Sequence, residues 1–210
     1  MYTLYFSPGA ASLVVHWLLI DLGVPHELVK LDIAAKEHKT AEYLKLNPAG
    51  VVPTLLVDGA PVTECAALAL LLAERHPEAG LEPPHGTRER ALYLQWTLHL
   101  ANTLQPAFRL WWYPHEAAGE QHAAAGQALA GERIGGVFDR LDAHLATHGP
   151  YICGDRISAA DFLATMLMRW SRNMPKPATE WPHLAVFAAR MKARPSFKLL
   201  YEREGLTEWA

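Results

Sequence analysis

The residues with the most chemical promise lie between positions 47 and 75. Val52-Pro53 ends a turn and opens a strand pattern. Proline lacks an N–H and is tolerated at the first residue of a strand or on an edge. An X-Pro bond also adopts the cis form cheaply. A cis bond here would turn the N–H and C=O of Val52 out of the sheet, free to pair with an extended peptide. Glu64 and Cys65 follow at the start of a helix pattern. Backbone N–H groups lack partners there, and the helix dipole favours an anion. A thiol at such a place can have a lowered pKa, which would let Cys65 form a mixed disulfide. A buried, inert cysteine is the commoner case. The stretch therefore offers a strand-like docking edge with an anion site beside it. A plain hairpin packed on a helix is the alternative.

These residues need a frame. Tyr2–Phe6 reads as a short strand, Ser12 to Asp21 as a helix stopped by Gly23, and Glu27–Leu31 as a second strand. A β-α-β opening implies a parallel pair with a right-handed crossover. Thr40 to Leu46 is a short helix. Asp58-Gly59 is a hairpin turn between Thr54–Val57 and Ala60–Thr63. Ala66–Arg75 is helical. Residues 76–86 are rich in proline and glycine, and everything beyond is helical in pattern. Thr87 caps one helix, which Pro106 should kink or end. A long alanine-rich helix spans Glu116 to His148, irregular before residue 130, with Val137, Leu141 and Leu145 as its core stripe. Ser158 and Asp161 stand three apart before an apolar run, the spacing of a capping box. Asp161 is therefore read as structural. Pro182 and Pro195 open the last two helices.

Half of the 210 residues are hydrophobic and the formal charge is −3, so a buried core is expected and a nucleic-acid partner is not. There are 11 histidines but none at metal-ligand spacing, so no metal is expected. Cys65 and Cys153 make neither a disulfide framework nor a Cys-x-x-Cys pair. No basic leader opens the chain, and no apolar run reaches the roughly 18 residues of a membrane span. The composition reads as a reduced, soluble, cytoplasmic protein without membrane contacts.

The stretch Asn47-Pro48-Ala49-Gly50-Val51-Val52-Pro53-Thr54-Leu55, the hairpin, and Thr63-Glu64-Cys65-Ala66-Ala67-Leu68 together resemble the N-terminal domain of the cytosolic glutathione transferases. Glu37-His38-Lys39-Thr40 is similar to a motif of the plant phi class. Gly154-Asp155-Arg156-Ile157-Ser158-Ala159-Ala160-Asp161 and Arg194-Pro195-Ser196-Phe197 resemble signatures of the family's C-terminal domain. The resemblance covers nearly the whole chain. It implies a thioredoxin-like α/β domain (βαβαββα, a mixed four-stranded sheet) at 1–78, a linker at 79–86, and an all-α domain at 87–210.

The resemblance also implies roles. Val52, beside Pro53, would pair with the cysteinyl backbone of glutathione. Glu64 and Cys65 would hold its γ-glutamyl end, although the family usually has serine at position 65 and an S–H is a weaker donor. His38 and Lys39 would meet the glycine carboxylate, which needs charged donors. Glutathione would be the co-substrate, with no metal, a homodimer as the assembly, and a hydrophobic electrophile in an apolar pocket between the domains. The stretch Phe108, Arg109, Trp111, Trp112 and Tyr113 could line that pocket, since rigid aromatic walls suit flat electrophiles. Arg109 could bind an acidic group, and core packing or a dimer contact is the alternative for each aromatic.

The reaction needs the glutathione thiolate, and a free thiol titrates near about 8.5. A donor at the start of the first helix would stabilise the anion. The N-terminus resembles the bacterial beta-class pattern, but Ala11 stands where that class has cysteine, and Gln105 and Pro106 where it has histidine and lysine. Ser12 is the leading candidate donor, with a plain N-cap as its alternative; Ser7 and Tyr5 follow, and core packing is the better reading for Tyr5. The expected activity is conjugation of glutathione to hydrophobic electrophiles. A glutathione-dependent peroxidase or thiol–disulfide reductase using Cys65, or a non-catalytic binder, are the alternatives.

Overall fold

The computed structural model describes residues Met1 to Trp209. The first elements are β1 (Tyr2–Phe6), α1 (Leu13–Asp21), β2 (His26–Lys30), α2 (Ala41–Leu46), β3 (Thr54–Val57), β4 (Ala60–Thr63) and α3 (Cys65–Arg75). Helices follow: α4 (Arg88–His99), α5 (Gln105–Trp112), α6 (Pro114–Ala118), α7 (Ala123–His148), α8 (Ala159–Trp170), α9 (Pro182–Lys192) and α10 (Pro195–Glu204). The chain divides into two compact units. One is Met1–Glu82 together with the segment from Lys192 onward; the other is Pro83–Met191.

The first unit is built on a sheet of order β2-β1-β3-β4. β1 and β2 are parallel, and β3 is antiparallel to both β1 and β4. Along β1, Tyr2, Leu4 and Phe6 are buried while Thr3 and Tyr5 are half-buried, the period of two that a strand imposes. Asp58 and Gly59 turn the hairpin with φ of +52° and +85°, the signs a two-residue hairpin turn of this type requires. α1 is buried from Leu13 through Leu19. A helix apolar on every side belongs in an interior.

The last helix was expected in the second unit, yet it groups with the first unit and packs on α1. Arg194 makes a two-pronged ion pair with Asp21 at the end of α1, at 2.8 and 2.9 Å. Trp17 Nε1 donates to Ser196 Oγ at 3.0 Å, and the Trp17 and Phe197 rings meet edge to face. The Arg-Pro-Ser-Phe segment is thus the clasp that fastens α10 to α1.

In the second unit, Pro106 neither ends nor breaks its helix. A π-helical turn at Leu100–Leu104 joins α4 to α5 immediately before it. The proline has no N–H to give the preceding turn, and the wider π turn accommodates the missing bond. The expected helix from Glu116 is interrupted at Gly119, whose φ of +69° no helix allows, so α7 starts only at Ala123. Phe108, Phe138, Trp170 and Trp181 meet through ring contacts at the centre of this unit.

The start of α8 is the best-satisfied polar point of the unit. Asp161 is fully buried. Its carboxylate accepts from the Ser158 N–H at 2.7 Å, the Ser158 hydroxyl at 2.8 Å and the Ile152 N–H at 2.8 Å. The capping box is present, and one further donor from the preceding loop is added to it.

Candidate active site

Strand register brings the sheet-borne candidates to one end of the sheet. Tyr5 pairs with Thr54, and continuing that antiparallel register sets Ser7 opposite Val52. Thr54 also pairs with Thr63, which sets Glu64 opposite Pro53. Ser7, Val52-Pro53 and Glu64 therefore stand side by side, just beyond the ends of three adjacent strands.

The Val52-Pro53 bond is cis. Among the described residues, neither the N–H nor the C=O of Val52 has a backbone partner. The turn before it is held firmly. The Val51 carbonyl accepts from Tyr43 Oη at 2.6 Å and Asn47 Nδ2 at 2.8 Å. Tyr43 Oη also shares a hydrogen bond with Thr54 Oγ1 at 2.8 Å. A fixed turn followed by an unpaired backbone edge is what an incoming extended peptide needs.

His38 and Lys39 lie against this same turn. Lys39 Nζ donates to the Ala49 carbonyl at 3.1 Å. A Cβ on Gly50, whose φ is +57°, would stand 2.9 Å from the His38 carbonyl, so only glycine allows the approach. His38 Nδ1 is buried without a partner among the described residues. Burial, then the charges of Lys39 and Lys36, hold this imidazole below its usual pKa.

Glu64 is exposed, and its backbone sits at φ +70° and ψ +105°. A non-glycine residue in such a conformation costs about 1–3 kcal/mol and is found where function demands it. Among the described residues its carboxylate makes no hydrogen bond and no cap to α3. Cys65 is 3% exposed. A thiol so covered offers little surface to a disulfide or peroxide.

The loop from Ser7 to Ser12 engages one serine hydroxyl and leaves the other open. Ser12 is fully buried and makes no side-chain cap to α1. Its hydroxyl donates to the Ser7 carbonyl at 3.1 Å and accepts from the Ser7 N–H at 3.2 Å. Its single proton is thus spent within the loop. The Ser7 hydroxyl is half-buried and has no partner among the described residues. The N–H groups of Ala11 and Ser12 at the head of α1 also lack backbone partners there. Tyr5 is not in the core. It shares the half-open face of β1 with Thr3, its ring 5.6 Å from that of Tyr43.

Two residues of this loop's support were not anticipated. Glu204 of α10 accepts from the Gly9 N–H at 2.8 Å and pairs with His16 Nδ1 at 2.8 Å. His16 and Glu204 are both buried. His16 lies within the helix expected from the sequence. Glu204 lies 188 residues away, and no spacing rule could join them.

The aromatic stretch does not form one wall. A helix turns its side chains by about 100° per residue, so α5 distributes them. Phe108 is wholly in the core of the helical unit. Trp111 lines a cavity of that unit, while Trp112 and Tyr113 are 41% and 45% exposed. Arg109 is already engaged. It makes a two-pronged pair with Glu116 at 2.8 and 2.6 Å and lies over the Tyr113 ring. An acidic substrate would have to displace that carboxylate.

Residues 10–75 match the family model of the glutathione S-transferase N-terminal domain, and residues 101–202 that of the C-terminal domain. The chain is 30% identical to the glutathione S-transferase GstA of Escherichia coli O157:H7, covering 97% of this chain and 98% of that one. It is 31% identical to a glutathione S-transferase of Xanthomonas campestris, with the same coverage. Among solved structures, a glutathione transferase of Methylococcus capsulatus superposes with a TM-score of 0.88 at 31% identity, covering 99% of this chain and 100% of that one. A Sulfitobacter glutathione transferase homologue with bound glutathione superposes with a TM-score of 0.90 at 28% identity, covering 99% of each. With both domains matched in order and full-length relatives at this identity, the chain belongs to the glutathione S-transferase family.

Proposed function

We propose that this transferase binds glutathione along the end of its sheet, ionises the thiol beside Ser7, and joins the thiolate to a carbon of a hydrophobic electrophile. The observation that carries the reading is the unpaired Val52 backbone held between Ser7 and Glu64. The Val52 N–H and C=O would pair with the cysteinyl unit of the peptide. Glu64, with the backbone at Cys65, would take the γ-glutamyl end, its carboxylate meeting the ammonium. Lys39 and His38 would face the glycine carboxylate.

The thiol of that cysteinyl unit would then lie towards Ser7. The Ser7 hydroxyl and the N–H of Ala11, at the positive end of α1, stabilise the anion. Ser12 braces the loop. The thiol proton leaves to solvent, the sulfur lone pair forms the new S–C bond, and the leaving group departs with its bonding electrons. The burial of Cys65 weighs against the peroxidase and reductase reading. We further propose a cytoplasmic homodimer. The exposed Leu94 and Leu98, one turn apart on α4, support a second copy as the cover of that face. No helix among the described residues is long and apolar enough to cross a membrane.

The test is a pH titration of the glutathione thiolate absorbance in the bound state, on the wild type, Ser7→Ala and Ser12→Ala. The expected result is a bound thiol ionising at least about one unit below its free value of about 8.5, and a shift back towards that value in Ser7→Ala. Glutathione that binds without ionising would make the protein a binder. A larger shift in Ser12→Ala than in Ser7→Ala, at unchanged stability, would return the donor role to Ser12.

A further inference from the structure

An open, solvent-facing cavity of about 450 Å³ lies on the helical unit. Its floor is α7 at Gly131, Gly135 and Gly136, and its walls are Trp111 and Trp181. The volume falls in the range of about 300–1,000 Å³ typical of small-molecule sites.

The glycines of the floor are costly. Each costs about 0.5–1 kcal/mol in a helix interior relative to alanine. Gly131 has a packing reason, since a Cβ there would stand 2.9 Å from the Trp111 ring. Gly135 and Gly136 have none: a Cβ on either would meet nothing within 4 Å. The helix surface is left bare where it faces the cavity.

Charge selects the occupant. Glu132 and Asp139 line the cavity against a single cation, Lys176. The Glu132 carboxylate has no partner among the described residues. Asp139 Oδ1 accepts from Trp181 Nε1 at 2.7 Å and so fixes the ring. Lys176 Nζ lies 3.5 Å from the Trp181 ring centroid. One aromatic wall thus already receives a cation, attracted by the negative face of the ring.

We propose that this cavity binds a flat organic cation, its ring plane against the bare face of α7 and its charge between the tryptophan walls and Glu132. Lys176 is the intramolecular competitor for the same aromatic face. Neither feature uses the glutathione end of the sheet, so the proposal stands apart from the conjugation chemistry.

The probe is proflavine, a planar acridine that is cationic at neutral pH, titrated by fluorescence against the full chain. One-to-one binding is expected. Gly135→Leu should weaken it by about tenfold or more by filling the floor, while replacing a poor helix former and keeping the helical circular dichroism. Glu132→Gln should weaken it about threefold, and Lys176→Gln should tighten it, because repulsion is removed and the Trp181 face is freed. Saturating S-hexylglutathione should leave it unchanged. Displacement by S-hexylglutathione with no effect of Gly135→Leu would move the dye to the electrophile site and overturn the proposal. Charge effects of the opposite sign, or no binding, would overturn it equally.

Discussion

Two acidic residues stand at helix starts in the two units, and they are built in opposite ways. Asp161, at the start of α8, is fully buried and accepts three hydrogen bonds. Glu64, at the start of α3, is exposed, sits at a strained positive φ, and gives its carboxylate to nothing among the described residues. One carboxylate is used up in folding. The other is left open, on a backbone whose conformation is costly for a residue other than glycine. A side chain's local position does not reveal its purpose; the accounting of its partners does.

The sharpest test is to remove each one. Asp161→Ala would leave two backbone N–H groups and a hydroxyl buried without acceptors. At about 1–3 kcal/mol for each unsatisfied group, a loss of at least about 3 kcal/mol is expected, read from urea unfolding. A loss under 1 kcal/mol would break the contrast.

The same carboxyl makes a pH prediction. Burial pushes its pKa from 3.8 up to about 6, against the pull of its donors. Between these values the folded state holds a proton that the unfolded chain has released. Stability contributed by this group therefore falls as pH rises through that window. Asp161→Asn should flatten the stability curve there and leave the rest of it in shape.

Glu64 should behave in the reverse sense. Glu64→Gly relieves the strained φ and is expected to raise stability by about 1 kcal/mol, while glutathione affinity, measured by calorimetry, falls about tenfold, or 1.4 kcal/mol. If both quantities fell together, Glu64 would be a structural residue like Asp161. Ser12→Ala is the smallest and most diagnostic change. It removes both bonds to Ser7 and should cost about 1–2 kcal/mol of stability. The thiol pKa should move less than in Ser7→Ala.

Much of this was legible in the chain. The hairpin at Asp58-Gly59, the stop at Gly23, and the capping box at Ser158 and Asp161 are local devices. Their geometry is decided within a few residues, so spacing and residue type suffice. The alternation in β1 and the apolar character of α1 likewise announce which faces are buried. The motif around Val52-Pro53 pointed to the end of the sheet where the candidate site now stands.

Where structure and expectation part, the causes are of a different kind. Ser12 led the donor candidates because Ala11, Gln105 and Pro106 stand where the beta class has its cysteine, histidine and lysine, and only the loop's closure brings its hydroxyl onto the Ser7 carbonyl. Pro106 looked like a kink or a stop because the π turn before it depends on packing around Leu100 and Leu104, both buried. Phe108 and Trp112 looked alike in sequence, but helix rotation sends one to the core and the other to the surface. Arg109 looked available until Glu116 was found across a turn.

Sequence alone determined what depends on neighbours along the chain: the strands, the hairpin turn, the capping box of α8, and the family that their order implies. Tertiary structure decided what depends on neighbours in space. It set Ser7 opposite Val52, 45 residues further along the chain. It placed Glu204, from the far end of the chain, on the Gly9 N–H beneath the loop. A hydrogen bond is satisfied by whatever atom arrives within reach, and sequence separation does not enter its energy.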